Sequence, residues 1–312
     1  MRFLPLTVIF SIAMASISGN LFAAPANKIS RANDLSGVLA NMDDGNRENT
    51  KSIPITAGMK DDGIELVIHR LTLGRRLFKM IDGRQIDDAD ASYTDRARQA
   101  FAANMRFGAY HVLFLSPTGE DNGVEQARGF LSAVSDRCVP GQQLILAVDW
   151  EPTKCGGKAC GLPEPKYIAS FIPAVRRVTG KPVLVYTSPD VLSTYSDQIA
   201  PGTAIGNMLR DNPLWLASYY RDFRFSKSDG DTTIRTGFVF PLLEQHRPWD
   251  QWQFWQYAAS ENIKGPAPNK SVSLTVQDHR LDLSWFAGGR EQFRDFYNKN
   301  SVTCDSIDLS KL

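Results

Sequence analysis

The stretch that most constrains this chain is 143–151, Gln-Leu-Ile-Leu-Ala-Val-Asp-Trp-Glu, an apolar run that ends abruptly in two carboxylates, Asp149 and Glu151. A short continuous run of Leu, Ile and Val reads as a strand buried on both faces of a parallel sheet, with polar residues only where the strand leaves the core. Side chains at i and i+2 of a strand point to the same side, so the two acids are expected to face one space with Cα atoms about 6 to 7 Å apart.

The rest of the chain repeats the theme at a regular rhythm. Residues 63–70 form a strand pattern entered from a glycine turn, and 93–105 carry Ala, Phe and Met at helical spacing. Residues 107–115 read as a strand, 124–134 as a helix, 144–148 as a strand and 165–178 as a helix with Pro near its first turn. Strands are expected again at 183–187 and 214–219, a short one at 281–283, and a closing helix at 291–297. Strands alternating with helices imply βαβ units and a parallel sheet, and at this length closure into one TIM-like α/β barrel is the economical solution. Residues 221–248 break the rhythm and read as an insertion, a hairpin over the barrel mouth. Residues 27–62 are polar and irregular, with room for a first strand, and 301–312 read as a tail.

Residues 1–26 carry a basic start, an apolar run and small residues around Ala23–Ala26, the three regions of a secretory signal peptide. The mature protein, a barrel over 63–300, is therefore expected to be secreted or periplasmic, outside any membrane, and monomeric. A net charge of +1 from 35 basic and 34 acidic residues gives no field that would draw nucleic acid. The cysteines, Cys138, Cys155, Cys160 and Cys304, are even in number, which in an oxidising compartment reads as disulfides. Cys155 and Cys160 flank a glycine-rich loop that could close on itself, leaving Cys138 for Cys304. A zinc site is the competing reading, but the first pair lacks a second Cys or His pair nearby. His69 and His111 likewise lack a third ligand in register and read as hydrogen-bonded core or supporting residues, so no metal is expected.

Paired carboxylates at the C-terminal end of a barrel strand stand on the face where such folds place their chemistry. Cleaving a glycosidic bond takes one acid to protonate the leaving oxygen and a second group to stabilise or attack the anomeric centre. An arbitrary Asp-x-Glu at a loop start is most often only solvated. Here Tyr110, Tyr186, Trp215, Tyr219, Trp255 and Tyr257 all fall at or near predicted strand ends, where aromatic faces stack on sugars.

Taken in order, Gly108-Ala109-Tyr110-His111, the strand into Asp149-Trp150-Glu151, Val185-Tyr186-Thr187, the segment 214–219, Trp255-Gln256-Tyr257 and Leu281-Asp282-Leu283 resemble the family 25 glycoside hydrolases, the Chalaropsis-type lysozymes. Asp90-Ala91-Ser92-Tyr93 and Gln126-Ala127 fit the same template, and the likeness runs from about residue 63 to 288. The resemblance implies a barrel with five helically crossed strands and three further strands. It implies cleavage of the β-1,4 bond from N-acetylmuramic acid to N-acetylglucosamine in peptidoglycan, without a cofactor. On this template Glu151 is the general acid/base and Asp149 its partner, which positions the substrate's 2-acetamido group or stabilises positive charge. Asp282 is the acid across the groove, and Tyr110, Tyr186, Trp215, Tyr219, Trp255 and Gln256 contact substrate. The chain departs from the pattern twice. The usual opening Gly-Ile-Asp-Val-Ser is represented only by Asn33-Asp34-Leu35-Ser36, which makes Asp34 a candidate fourth acid. After Ile68, Lys-Ala-Thr-Glu-Gly becomes His69-Arg70-Leu71-Thr72-Leu73-Gly74, which loses the Glu and adds bulk at one edge of the groove. The rival readings are a non-catalytic wall- or glycan-binding protein on the same barrel, and a chitinase-type glycosidase. The alternating aspartates that precede a chitinase's catalytic Glu are absent, since Leu144, Leu146 and Ala147 occupy that region.

Overall fold

The computed structural model of the chain describes residues 31–34, 64–74, 79–81, 84–86, 93–116, 118–155, 158–218, 226–228, 231–233, 247–258 and 282–312. The apolar runs become the strands of one curled sheet: β1 (Arg31–Asp34), β2 (Ile64–Leu73), β3 (Arg106–Val112), β4 (Gln143–Asp149), β5 (Leu184–Thr187), β6 (Leu214–Ala217), β7 (Phe254–Ala258), β8 (Asp282–Phe286) and β9 (Val302–Thr303). Helices α1 (Tyr93–Ala102), α2 (Gly123–Asp136), α3 (Pro165–Thr179), α4 (Pro189–Thr194), α5 (Ala204–Arg210) and α6 (Arg290–Asn300) lie between or after them. The candidate signal peptide and most of the insertion lie outside the described residues. Within the insertion, Ser226–Ser228 and Asp231–Thr233 pair antiparallel. Among the described residues no helix is long and apolar enough to cross a membrane.

The sheet order is β9-β4-β3-β2-β1-β8-β7-β6-β5, and β5 pairs in turn with β4, so the curl meets itself. Strands β1 to β7 all run in the same direction round the ring. β8 runs antiparallel to both β1 and β7. Because successive side chains of a strand take opposite faces, the core divides in two. Inside the curl lie Leu66, Ile68, Tyr110, Ile145, Ala147, Leu184, Trp215 and Phe254. Between sheet and helices lie Val67, Phe107, Leu144, Leu146, Val148, Val185 and Leu216. Helix α2 packs against α3 at Gly123, where a β-carbon would come within 2.2 Å of the Tyr167 carbonyl oxygen. Only glycine allows that approach.

One end of the curl is closed. Helix α6 inserts Phe293 and Tyr297 among Phe254 and Phe286. The Tyr297 hydroxyl accepts from the Phe107 amide at 3.2 Å and donates to the Gln143 carbonyl. Glu65, buried beside it, takes Arg106 at 3.1 Å and Arg290 at 2.8 Å. Residues 301–312, read from sequence as a tail, are stitched to this end. β9 pairs antiparallel with the start of β4, and Cys304 is bonded to Cys138 with Cα atoms 5.5 Å apart.

Candidate active site

The strand ends of β1 to β7 all point away from α6 toward the opposite mouth, and β8, being antiparallel, begins there. Asp149 is the last residue of β4, Asp34 the last of β1 and Asp282 the first of β8. Strand polarity alone therefore brings these three acids to one mouth. Asp34 stands opposite Asp282 in the β1–β8 register and opposite Ile68 in the β1–β2 register. For Asp34 and Asp282 the backbone position is what the structure describes. Asp149 is 6 % exposed, and Glu151 is half-buried two residues further on.

The residue between the acids explains their orientation. Trp150 is fully buried on the helix side, stacked on Tyr195 at 5.7 Å and 9°, with its indole N–H donating to the Pro163 carbonyl at 2.8 Å. Its own amide donates to the Tyr186 carbonyl at 2.9 Å, and the Thr187 hydroxyl donates to its carbonyl at 3.0 Å. The Asp149 carbonyl receives the Leu113 amide. With Trp150 pinned outward and Ile145 and Ala147 inside, period-2 alternation sends Asp149 to the inner side, and Glu151 follows in the bend just beyond the strand. The sequence signal for its role is a large aromatic at the odd position between two acids.

The expected aromatic contacts divide by the same parity. Tyr110, Tyr186 and Trp215 belong to the interior, Tyr186 lying edge-on to Trp215 at 4.9 Å. The Trp215 indole donates to the Ser284 hydroxyl across the curl at 3.0 Å, which makes Ser284 an anchor that sequence reasoning missed. Gln256 is buried on β7 two residues beyond the interior Phe254. Trp255 is not brought to the mouth: it is 1 % exposed in the helix-side layer, and its indole donates to the Ser218 carbonyl at 2.8 Å. Since Phe254 and Gln256 face inward, the residue between them must face out. Tyr219 and the side chain of Tyr257 lie outside the described residues.

A polar chain buttresses the β2–β3 side of the mouth. His111, fully buried and stacked on Phe171 at 5.0 Å, donates from Nε2 to Gln126 Oε1 at 3.0 Å. That assignment follows from Gln126, whose amide nitrogen already donates to Phe114 O and Asn122 Oδ1. The Thr72 hydroxyl then donates to His111 Nδ1 at 2.8 Å. Burial lowers the His111 pKa to about 4, with the Gln126 bond opposing. The folded protein thus holds His111 neutral where the unfolded chain protonates it, so stability present above about pH 6.5 is lost as pH falls toward 4. The expected loss between pH 7 and 4.5 is about 2 kcal/mol from this group. Urea unfolding at several pH values measures it, and His111→Gln should remove one proton's worth of slope in that window.

The hairpin of Thr153–Cys155 with Lys158–Gly161 follows Glu151 directly, so both Cys155 and Cys160 lie on the rim. At the closed end, between the starts of β5, β6 and β7 and helix α6, a groove of about 730 Å³ is walled by Lys181, Arg210, Trp249, Asp250 and Lys299. It contains none of the candidate acids.

The family model for glycosyl hydrolases family 25 matches residues 55–266. No curated protein matches the sequence. Among solved structures, a bacterial lysozyme from Streptomyces coelicolor is similar with a TM-score of 0.53 at 17 % identity, covering 87 % of this chain and 98 % of its own. A family GH25 lysozyme from Aspergillus fumigatus is similar with a TM-score of 0.51 at 19 % identity, over 86 % of this chain and 99 % of its own. A muramidase from Acremonium alcalophilum gives 0.50 at 18 % identity, over 86 % and 99 %. At these identities the likeness establishes the fold.

Proposed function

The chain belongs to glycosyl hydrolases family 25, which makes it a glycoside hydrolase, and on that premise we propose that it is an exported N-acetylmuramidase. It cleaves the β-1,4 bond between N-acetylmuramic acid and N-acetylglucosamine in peptidoglycan. The observation that carries this reading is the convergence at one mouth of Asp34, Asp149 and Asp282 by strand polarity, with Glu151 just beyond.

Glu151 protonates the glycosidic oxygen and then, as the base, activates the water that resolves the intermediate. Asp149 orients the 2-acetamido group or stabilises charge at the anomeric carbon, and Asp282 and Asp34 are the further acids of the cluster in this reading. Tyr110, Tyr186, Trp215 and Gln256 form the floor and walls, and Tyr219 contacts substrate in the same reading. The fold belongs to the same reading: a barrel with five helical crossings. Among the described residues α1, α2, α3 and the α4–α5 pair supply four of these. Export rests on the signal-like residues 1–26, and the Cys138–Cys304 bond fits an oxidising compartment. Cys155 pairs with Cys160 in the same reading.

Digestion of purified peptidoglycan followed by borohydride reduction and mass spectrometry tests the proposal. Fragments ending in reduced muramic acid are expected. Fragments ending in reduced glucosamine would assign the other glycosidic bond. Sedimentation with the wall without new reducing ends would replace the enzyme with a glycan-binding protein on the same barrel.

A further inference from the structure

The hydrolysis just described leaves Arg70, a charged residue of the mouth, without a role. Its face is fixed by its neighbours: Leu66 and Ile68 belong to the interior, whereas His69 meets Tyr93 edge-on at 5.7 Å and Leu71 sits in the helix-side layer. Arg70 therefore points inward, half-buried. The register then breaks. Arg70 pairs with Tyr110 and Thr72 with His111, so Leu71 is an extra residue in the strand. Bulges of this kind re-aim side chains beside active sites. Beyond it Thr72 also faces the helices, where its hydroxyl meets His111. Gly74, at φ 65°, turns the chain away while its amide holds the Val112 carbonyl at 2.9 Å. Tyr110 pairs with Ala147, two residues before Asp149, and Asp34 stands opposite Ile68, so Arg70 rises between the levels of these two acids, one layer below Asp149. This is also the stretch in which the family-like pattern loses its Glu and gains bulk.

We propose that Arg70 is a specificity-determining residue that receives the lactyl carboxylate of a muramic acid, so that the enzyme favours glycan strands whose stem peptides have been removed. The inference rests on the muramidase reading above. A guanidinium fork matches a carboxylate with two parallel hydrogen bonds. In a muramic acid the lactyl ether places its carboxyl directly against the sugar ring. Amide-linked to a peptide that group is neutral; with the peptide gone it is an anion. The other carboxylates of a stem peptide lie residues away from the sugar, beyond the reach of a half-buried side chain inside the curl.

The test compares intact peptidoglycan with amidase-stripped strands from the same wall, using wild type, Arg70→Met and Arg70→Lys. Wild type is expected to show kcat/KM about tenfold or more higher on stripped strands, expressed in KM, as suits one charge-assisted pair. Arg70→Met should lose at least tenfold more on stripped strands than on intact wall, and Arg70→Lys should recover part of that difference. Equal wild-type efficiency on both substrates overturns the inference. So does an Arg70→Met loss confined to kcat and equal on both, which would tie Arg70 to the acids instead of the substrate. Cleavage of neither substrate by wild type sinks the muramidase reading itself, and this inference with it.

Discussion

Glu151→Gln is expected to lower kcat on peptidoglycan by about a thousandfold, the scale of losing general acid–base catalysis, while the thermal midpoint stays where it was. The amide keeps the size of the carboxyl and removes the transferable proton. Backbone-fixing bonds at this point come from Trp150, Tyr186 and Thr187, which the substitution leaves in place. The variant should therefore fold and still sediment with the wall. Release of reducing ends measures the loss, and a fall of less than tenfold would move the acid role to another residue of the mouth.

Trp150→Ala is expected to damage both stability and catalysis. Removing a fully buried Trp costs roughly 3 to 5 kcal/mol, and here it also strands the Pro163 carbonyl and the exposed face of Tyr195. The strand end that carries the acids is then free to rotate. Denaturant unfolding reports the first effect, and kcat at a temperature where the variant remains folded reports the second. Trp150→Phe should fall between, keeping the stacking and losing the hydrogen bond. If Trp150→Ala turns over normally once folded, the β-ladder alone positions Asp149 and Glu151.

Much of this arrangement was legible in the chain. Strands 143–149 and 184–187 are apolar along most of their length, and α3 is marked by its Pro at the first turn and Gly180 after its last residue. What was not legible depends on partners far away in sequence. The direction of β8 is invisible in Asp282–Phe286, since the same residues could run either way; only pairing with β1 and β7 sets it. The face taken by Trp255 depends on which of two alternating sets meets the interior, and an aromatic run such as Trp252 to Tyr257 offers apolar residues to both. The short helices α4 and α5 escaped notice although each carries its own start signal, Ser188 before Pro189 and the Thr203 hydroxyl accepting from the Gly206 amide. The pairing of Cys138 with Cys304 could be foreseen from compartment and count, but the segment that follows α6 showed no strand pattern of its own.

That last segment changes how the acid-bearing strand comes into being. Gln143 and Leu144 find their antiparallel partners in Thr303 and Val302, and the nearby covalent link spans a sequence separation of 166 residues. Contacts so distant along the chain close late and slowly. A chain interrupted before residue 302 would therefore carry Asp149 and Glu151 on a strand held at its root by β3 alone, without the antiparallel partner and the covalent link on the other side.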